Sequence, residues 1–454
     1  MNKKSFLYKL FFSTNHERSS TLKKNVLASF FIKGTNFILE LFLVSIMLIY
    51  LDVHNYGIII VMLSFVTWFF ILDFGLGAGL RNKFAEALAL NKHKQAKIYV
   101  STCYLMLGII SIVFFSFYLI FNQLLPWSKI LAVDESYNEE ISILALIIFG
   151  SFSLQLILNI LSQILWADQK SAVADLILLL NKILITTTIY ILTKISSGSL
   201  VYIGLIYSIV PLLVLFIFSL YFYNSKYKDY SPSFKFIDFK LGKKLFDIGW
   251  KFFILQIAYI VLMLTDNMII TQLYGPETVT PYYIASKYYG FALVFFVIVS
   301  SATRSAFTEA FIKKDFSWVK DIMKKQKKIL HGVILIVIVM VAVSNYAFKI
   351  WVGEKIIVDF LLSISWGIFV IIYSYSAIYI YFLNGIGKFK LQMINGSIGM
   401  VINIPLSIFL AKYVGLGSAG VILATSITLL IHLVFGKIQY EKIINNRAVG
   451  IWNE

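Results

Sequence analysis

The sequence predicts an all-α integral membrane protein, with about twelve transmembrane helices in two pseudo-symmetric six-helix lobes and both termini in the cytoplasm. Three observations predict it. The 454 residues are 59% hydrophobic and only 14% charged, whereas an ordinary soluble domain is about 45–50% apolar and about 25% charged. Lysines and arginines gather on alternate sides of apolar runs long enough to span a bilayer. A charged septet, R-x-x-F-x-E-A, occurs twice: RNKFAEA at Arg81–Ala87 and RSAFTEA at Arg304–Ala310.

The apolar runs set the elements. A helix needs about 20 predominantly apolar residues to cross the hydrocarbon core. Twelve segments qualify: 25–50, 57–80, 98–121, 141–166, 171–193, 199–223, 248–272, 282–303, 329–351, 357–383, 391–411 and 417–440. The first run is too long for the h-region of a cleaved signal peptide and shows no small-residue cleavage site. The single cysteine, Cys103, excludes an intrachain disulfide and a cysteine metal cluster.

Sidedness comes from the segments between runs. With the N-terminus inside, the inner segments hold 31 of the 40 lysines and arginines and the outer segments hold five. This positive-inside bias places both termini in the cytoplasm. It also accounts for the net charge of +17 without nucleic acid as a partner. The acidic segment with Asp134, Glu135, Glu139 and Glu140 falls outside, and no outer segment is long enough to form a domain. The organisation is then an N-terminal cytoplasmic or interfacial segment 1–24, an N-lobe 25–223, a linker 224–247, a C-lobe 248–440 and a tail 441–454. Segment 304–328 mixes Phe307, Phe311, Trp318 and Met323 with lysines. It reads either as an amphipathic helix in the membrane interface or as a solvated loop. The N-terminal SFLYKLFFS reads the same two ways.

Each septet follows the second span of its half. A second marker agrees: Glu40 lies 16 residues before Tyr56, and Asp266 lies 16 before Tyr282. Both halves enter from the same side, so the repeats are parallel and related by an axis along the membrane normal. That arrangement suits a transporter that rocks around a central cavity.

Ionisable side chains in a bilayer are costly and normally face a cavity or each other. Eight of those within spans are the candidates: Lys33, Glu40, Asp73, Asp175, Lys182, Lys251, Asp266 and Lys287. Ser29, Lys33, Asn36 and Glu40 are spaced by four, three and four residues, which aligns them on one helical face. Asp175, Lys182 and Thr186 follow the same rule, and Gln256, Tyr259, Asp266 and Asn267 form a broader stripe. One reading is a cationic cavity that takes an anion, with the acids holding H⁺ or Na⁺. The other is interhelical glue, with lysines paired to acids. Lys287 lies near the outer end of its span and has a third option, snorkelling to the interface. Asp73 precedes the glycine-rich FGLGAGL, which reads as close packing or as local unwinding beside a hinge or ion site. Arg81 and Glu86 of one septet face Arg304 and Glu309 of the other across the pseudo-two-fold axis. They form either a reciprocal cytoplasmic latch or arginines snorkelling at helix ends. The five histidines sit in no catalytic arrangement, so no enzyme is expected.

LDFGLGAGLRNKFAEA after the second span and TDNMIITQLYGPETVTPYYIASK at the seventh and eighth resemble the polysaccharide flippases of the multidrug/oligosaccharidyl-lipid/polysaccharide (MOP) exporter superfamily, in particular the O-antigen (Wzx-type) group. The resemblance covers nearly the whole chain. It implies a V-shaped, MATE-like bundle of two lobes in the bacterial inner membrane. It implies ion-coupled flipping of an oligosaccharide on undecaprenyl pyrophosphate, for O-antigen, capsule or a related polymer. The pyrophosphate would be the anion for Lys33, Lys182, Lys251 and Lys287. Glu40, Asp73, Asp175 and Asp266 would serve coupling to a gradient of H⁺ or Na⁺, with Na⁺ at Asp73 or Asp266 and no other cofactor. Asp73 and Arg81 match the family's D-x-G…R positions, but the second half has no equivalent of Asp73. Expected partners are membrane lipids, a polysaccharide polymerase and a chain-length regulator, around a monomeric carrier. Two alternatives remain open: a multidrug cation antiporter of the same superfamily, and a membrane polysaccharide polymerase or ligase.

Overall fold

The computed structural model describes the backbone of residues 17–454. It describes the side chains of 31–454 except 248, 251, 252, 255, 258, 295, 298, 299, 301, 302, 304–306 and 309. Among the described residues every regular element is a helix, as a bilayer demands when each backbone polar group must be satisfied within its own segment.

The first half opens with α1 (Glu17–Tyr50), a single helix of 34 residues. After a tight turn, Asp52 accepts a 2.7 Å bond from the Asn55 amide and starts α2 (Val53–Phe69). A 3₁₀ turn at Phe70–Asp73 leads through left-handed Phe74 and Gly75 into α3 (Leu76–Ala89). Then come α4 (His93–Phe121), the short α5 (Trp127–Leu131), α6 (Asn138–Leu158) and α7 (Ile160–Ala167). The half closes with α8 (Ser171–Ile195) and α9 (Leu200–Asn224). The connecting segment is held down: Asp168 accepts bonds from Lys226 (2.6 Å) and from the Tyr227 hydroxyl (2.7 Å).

The second half repeats the pattern. Asp238 caps α10 (Phe239–Leu264) through the amides of Lys240 and Leu241. A break at Thr265 gives α11 (Asp266–Tyr274), followed by α12 (Val279–Ala302), α13 (Arg304–Ile312) and α14 (Phe316–Ala342). The chain ends with α15 (Ser344–Val352), α16 (Phe360–Gly385), α17 (Lys390–Ile408) and α18 (Gly417–Ile444). Among the described residues nine helices are long and apolar enough to cross a membrane, or ten if α14 and α15, bent by 69°, form one span. The α10–α11 pair and α12 stand where the seventh and eighth spans were expected.

Segment 304–328 is helical and not a solvated loop. Its second part is the start of α14, whose Val319, Ile322, Met323, Gln326 and Leu330 are buried. Their three- and four-residue spacing makes one face, while Lys320, Lys324, Lys325 and Lys328 stay exposed on the other. SFLYKLFFS lies outside the described residues.

The buried core is not divided lobe by lobe. One cluster joins the α1–α2 turn, Leu43–Met62 among its residues, to Ile269, Tyr282, Tyr289 and much of the second half. A second cluster lies mainly in the first half, on the side of the termini, around Leu80, Phe84, Cys103, Phe152 and Ile164, and takes in Leu245 of α10. The lobes thus share a core at the end distal to the termini. The approach there is close: a Cβ on Gly57 would sit 1.9 Å from the Pro276 carbonyl oxygen. Thr280 donates to the Val53 carbonyl at 2.7 Å, and His54 lies 3.2 Å from Glu277.

Candidate functional site

The polar face predicted on the first helix lines a cavity. Lys33, Asn36, Phe37 and Glu40 of α1 face Leu178, Asn181, Lys182 and Ile185 of α8 and Leu293, Val294 and Val297 of α12, around about 610 Å³. Four-, three- and four-residue spacing on one helix, and the 178–181–182–185 run on another, are what turn these side chains the same way. The cavity lies between lobes, since α1 and α8 belong to the first half and α12 to the second.

Glu40 is its electrostatic centre. Its carboxylate accepts from Lys182 on α8 and pairs with Lys287 on α12 at 2.8 Å. The Tyr283 hydroxyl donates to the same carboxylate at 2.9 Å. These side chains are largely withdrawn from solvent, with exposures of 16% for Glu40, 23% for Lys182 and 28% for Lys287. Lys287 does not snorkel; its ammonium points inward and also lies 4.5 Å from the centre of the Tyr283 ring. Lys33, by contrast, is exposed at the cavity and makes no ion pair among the described residues. Among the described residues, Lys33 and Lys182 line the cavity and Lys287 joins them at Glu40, three lysines against one acid. The Asn181 carbonyl oxygen is buried there without a hydrogen-bond partner among the described residues.

The remaining predicted residues separate. Asp175 lies about two turns from Lys182 along α8 and is not among the cavity's lining residues. Lys251 lies outside the described side chains. Asp73 is a cap: its carboxylate accepts from the amides of Gly75 (2.7 Å) and Gly77 (3.2 Å), restarting the helix after the break. The glycines therefore unwind and pack at once. A Cβ on Gly75 would meet the Gly249 carbonyl oxygen at 2.0 Å, and φ there is +74°. Asp266 is buried at 5% exposure at the start of α11. The Tyr282 hydroxyl donates to it at 2.5 Å, while its other oxygen has no hydrogen-bond partner among the described residues.

Of the septet residues, Glu86 is bonded within its own septet to Lys83 at 2.7 Å. That bond holds the Glu86 carboxyl below the usual carboxylate range. Arg81 lies over the Trp166 ring at 5.8 Å. The side chains of Arg304 and Glu309 lie outside the described residues. Among the described residues no group of three or more His, Cys, Asp or Glu side chains is placed to hold a metal ion.

Sequence reasoning missed Tyr283 and Asn181. Tyr283 follows Tyr282, the residue that marked the repeat, and only the fold shows that the two neighbours serve different acids. Asn181 adjoins Lys182 and carried no periodic signal of its own.

Comparisons with known proteins follow this geometry. A family model described as polysaccharide biosynthesis protein matches residues 22–311, and one described as MatE matches 252–409. No curated protein sequence matches the chain significantly. Among solved structures, an inward-facing multidrug resistance MATE family transporter of the MOP superfamily is 14% identical, with TM-score 0.75, over 91% of this chain and 96% of that one. An outward-facing form of such a transporter is 14% identical, with TM-score 0.65, over 97% and 99%. A MOP superfamily transporter from Pyrococcus furiosus, described as having a binding pocket of reverse polarity, is 14% identical, with TM-score 0.64, over 97% and 99%. The likeness extends over both halves, so the fold is that of MOP-superfamily transporters.

Proposed function

The chain belongs to the polysaccharide biosynthesis protein family, and from that premise we propose that it flips a polyprenyl-pyrophosphate-linked oligosaccharide across the bacterial inner membrane. The observation that carries this reading is the cavity between α1, α8 and α12, which Lys33, Lys182 and Glu40 line, with Lys287 reaching the Glu40 carboxylate from α12. A cationic, lobe-spanning cavity suits a pyrophosphate with its first sugars, while the polyprenyl tail stays in lipid between the lobes. The loading site opens near Lys33, on the side of the termini, which the lysine distribution assigns to the cytoplasm. Alternating access then means opening the distal contacts around Gly57 and Pro276 and closing the side by Lys33. The carrier works as a transporter, handing its cargo to a polymerase and chain-length regulator at the outer face.

Coupling falls to Asp266. The oxygen that has no partner among the described residues can hold a proton with no further ligand, whereas a metal cation needs several oxygen ligands. We therefore favour H⁺ over Na⁺, with Asp73 kept to its structural cap.

The competing reading is a multidrug cation antiporter, which the MatE match over 252–409 favours. A cavity with three lysines repels cations, so it ranks second. Complementation of a flippase-null strain decides between them. Restored surface polysaccharide, with lipid-linked repeat units no longer trapped on the inner leaflet, supports the flippase. Unrestored polysaccharide combined with raised drug resistance overturns it.

A further inference from the structure

Glu40 is bound in an unusual way for a residue lining an anion site. A carboxylate at the centre of the cavity takes the ammonium groups of Lys182 and Lys287 and the hydroxyl of Tyr283, from two different lobes. Lysine ammonium groups are donors only, so this set of donors calls for an anionic acceptor. Left empty, it would hold two ammonium groups close together and poorly solvated, which is costly. The same cavity continues to Lys33, which has no ion pair among the described residues, and to Asn36.

We propose that Glu40 holds the place of the substrate's phosphate in the unloaded carrier, and that an incoming pyrophosphate displaces it from Lys182 and Lys287. The proposal rests on reading this cavity as a pyrophosphate site. A pyrophosphate brings more charge and more acceptor oxygens than one carboxylate, so it outcompetes Glu40 once Lys33 has drawn it in. Displacement ends both links between Glu40 and the second lobe, the pair with Lys287 and the bond from Tyr283. Loading is thereby converted into loss of cross-lobe contacts. An empty carrier stays locked by its own carboxylate, which guards against cycling without cargo.

The test uses inorganic pyrophosphate as the probe on the purified full chain. A carbodiimide joins carboxylates to amines in direct contact without a spacer. In the unliganded wild type it should join Glu40 to Lys182 or Lys287, read by mass spectrometry of the linked peptides. Saturating pyrophosphate should cut that yield about tenfold, within the ~5–150-fold range usual for coupling between two ligands. Removing the internal competitor with Glu40→Gln should tighten pyrophosphate binding by a similar factor, and Lys33→Ala should weaken it in both backgrounds. If pyrophosphate binds in a Lys33-dependent way but leaves the cross-link unchanged, the displacement is overturned and the anion site stands. If pyrophosphate does not bind, or binds equally without Lys33, the anion site itself fails. Should Glu40→Gln not fold, the wild-type cross-link alone decides.

Discussion

Glu40 on α1 and Lys287 on α12 meet at 2.8 Å, joining the two halves of the chain beside the cavity. Lys182 on α8 shares the same carboxylate. The same residues thus both line or adjoin a cavity and pair across helices. A partly buried acid with two lysine partners is glue while the cavity is unloaded. Its lysines are also the ones a substrate anion would want. Lys33 differs in making no ion pair among the described residues.

That difference makes Lys33 the cleanest probe of transport. Lys33→Ala removes an exposed charge at the cavity. We expect unchanged insertion and thermal stability, with transport lowered about ten- to a hundredfold, since a charge-assisted hydrogen bond is worth about 1.5–3 kcal/mol. Flippase complementation scored by surface polysaccharide, alongside a melting curve in detergent, checks it. Full transport by the variant counts against the cationic site.

Lys287 and Glu40 should behave as a coupled pair. Lys287→Gln alone leaves Glu40 with one partner, and Glu40→Gln alone leaves two lysines facing each other. Each is expected to destabilise, and the double variant is expected to lose less than the sum. A thermal-unfolding double-mutant cycle should return a coupling of about 0.5–3 kcal/mol, as for residues in contact. A coupling indistinguishable from zero means that the pair is not maintained in solution.

Much of this site was legible in the sequence. The spacing of Lys33, Asn36 and Glu40 placed them on one face, and all three line the cavity. The twofold septet and the acid–tyrosine spacing marked two similar halves. What periodicity could not give was partnership between helices far apart in the chain. Asp266 and Tyr282, sixteen residues apart, are bonded within the second half. The corresponding Glu40 instead takes Tyr283 from the other half. Spacing along one helix fixes direction but not what stands opposite, so the sequence favours a cationic cavity without showing that Glu40 pairs with Lys182 and Lys287. Breaks were hidden for a related reason. The hydropathy of 57–80 is continuous across Phe70–Gly75, because unwinding within a buried stretch changes backbone angles without changing composition.

Asp73 tests whether a charge in a span is there for the ion or for the backbone. Its carboxylate caps α3 through the amides of Gly75 and Gly77. Asp73 uses both oxygens, one for each amide, and asparagine keeps only one of these acceptors. Alanine keeps neither and costs about 0.5–2 kcal/mol at such positions. Asp73→Asn is therefore expected to lose part of that stability and keep transport, and Asp73→Ala to lose all of it. If Asp73→Asn melts above Asp73→Ala but does not transport, the carboxylate has a role in coupling that the cap does not explain.

Gly57 and Gly75 should move the carrier in opposite directions. A Cβ at Gly57 would lie 1.9 Å from the Pro276 carbonyl oxygen, at the distal end where the lobes share a core. Backbone cannot yield as a flexible side chain does, so Gly57→Ala must part α2 from the start of the α11–α12 turn. A Cβ at Gly75 would lie 2.0 Å from the Gly249 carbonyl oxygen, beyond the cavity on the side of the termini. Its left-handed φ of +74° adds about 1–2 kcal/mol of strain for any L side chain. The readout is a cysteine placed at Ser45, whose hydroxyl bonds the Trp351 carbonyl across the distal interface at 3.2 Å. Cys103 is the chain's one native thiol and is buried, which keeps background labelling low. With a membrane-impermeant maleimide added from the outside, Gly57→Ala should raise labelling of Ser45→Cys severalfold. Gly75→Ala should leave it at or below the parent level, because its clash loosens the opposite end. Equal labelling in both variants would mean that the Gly57–Pro276 contact does not hold the distal side shut.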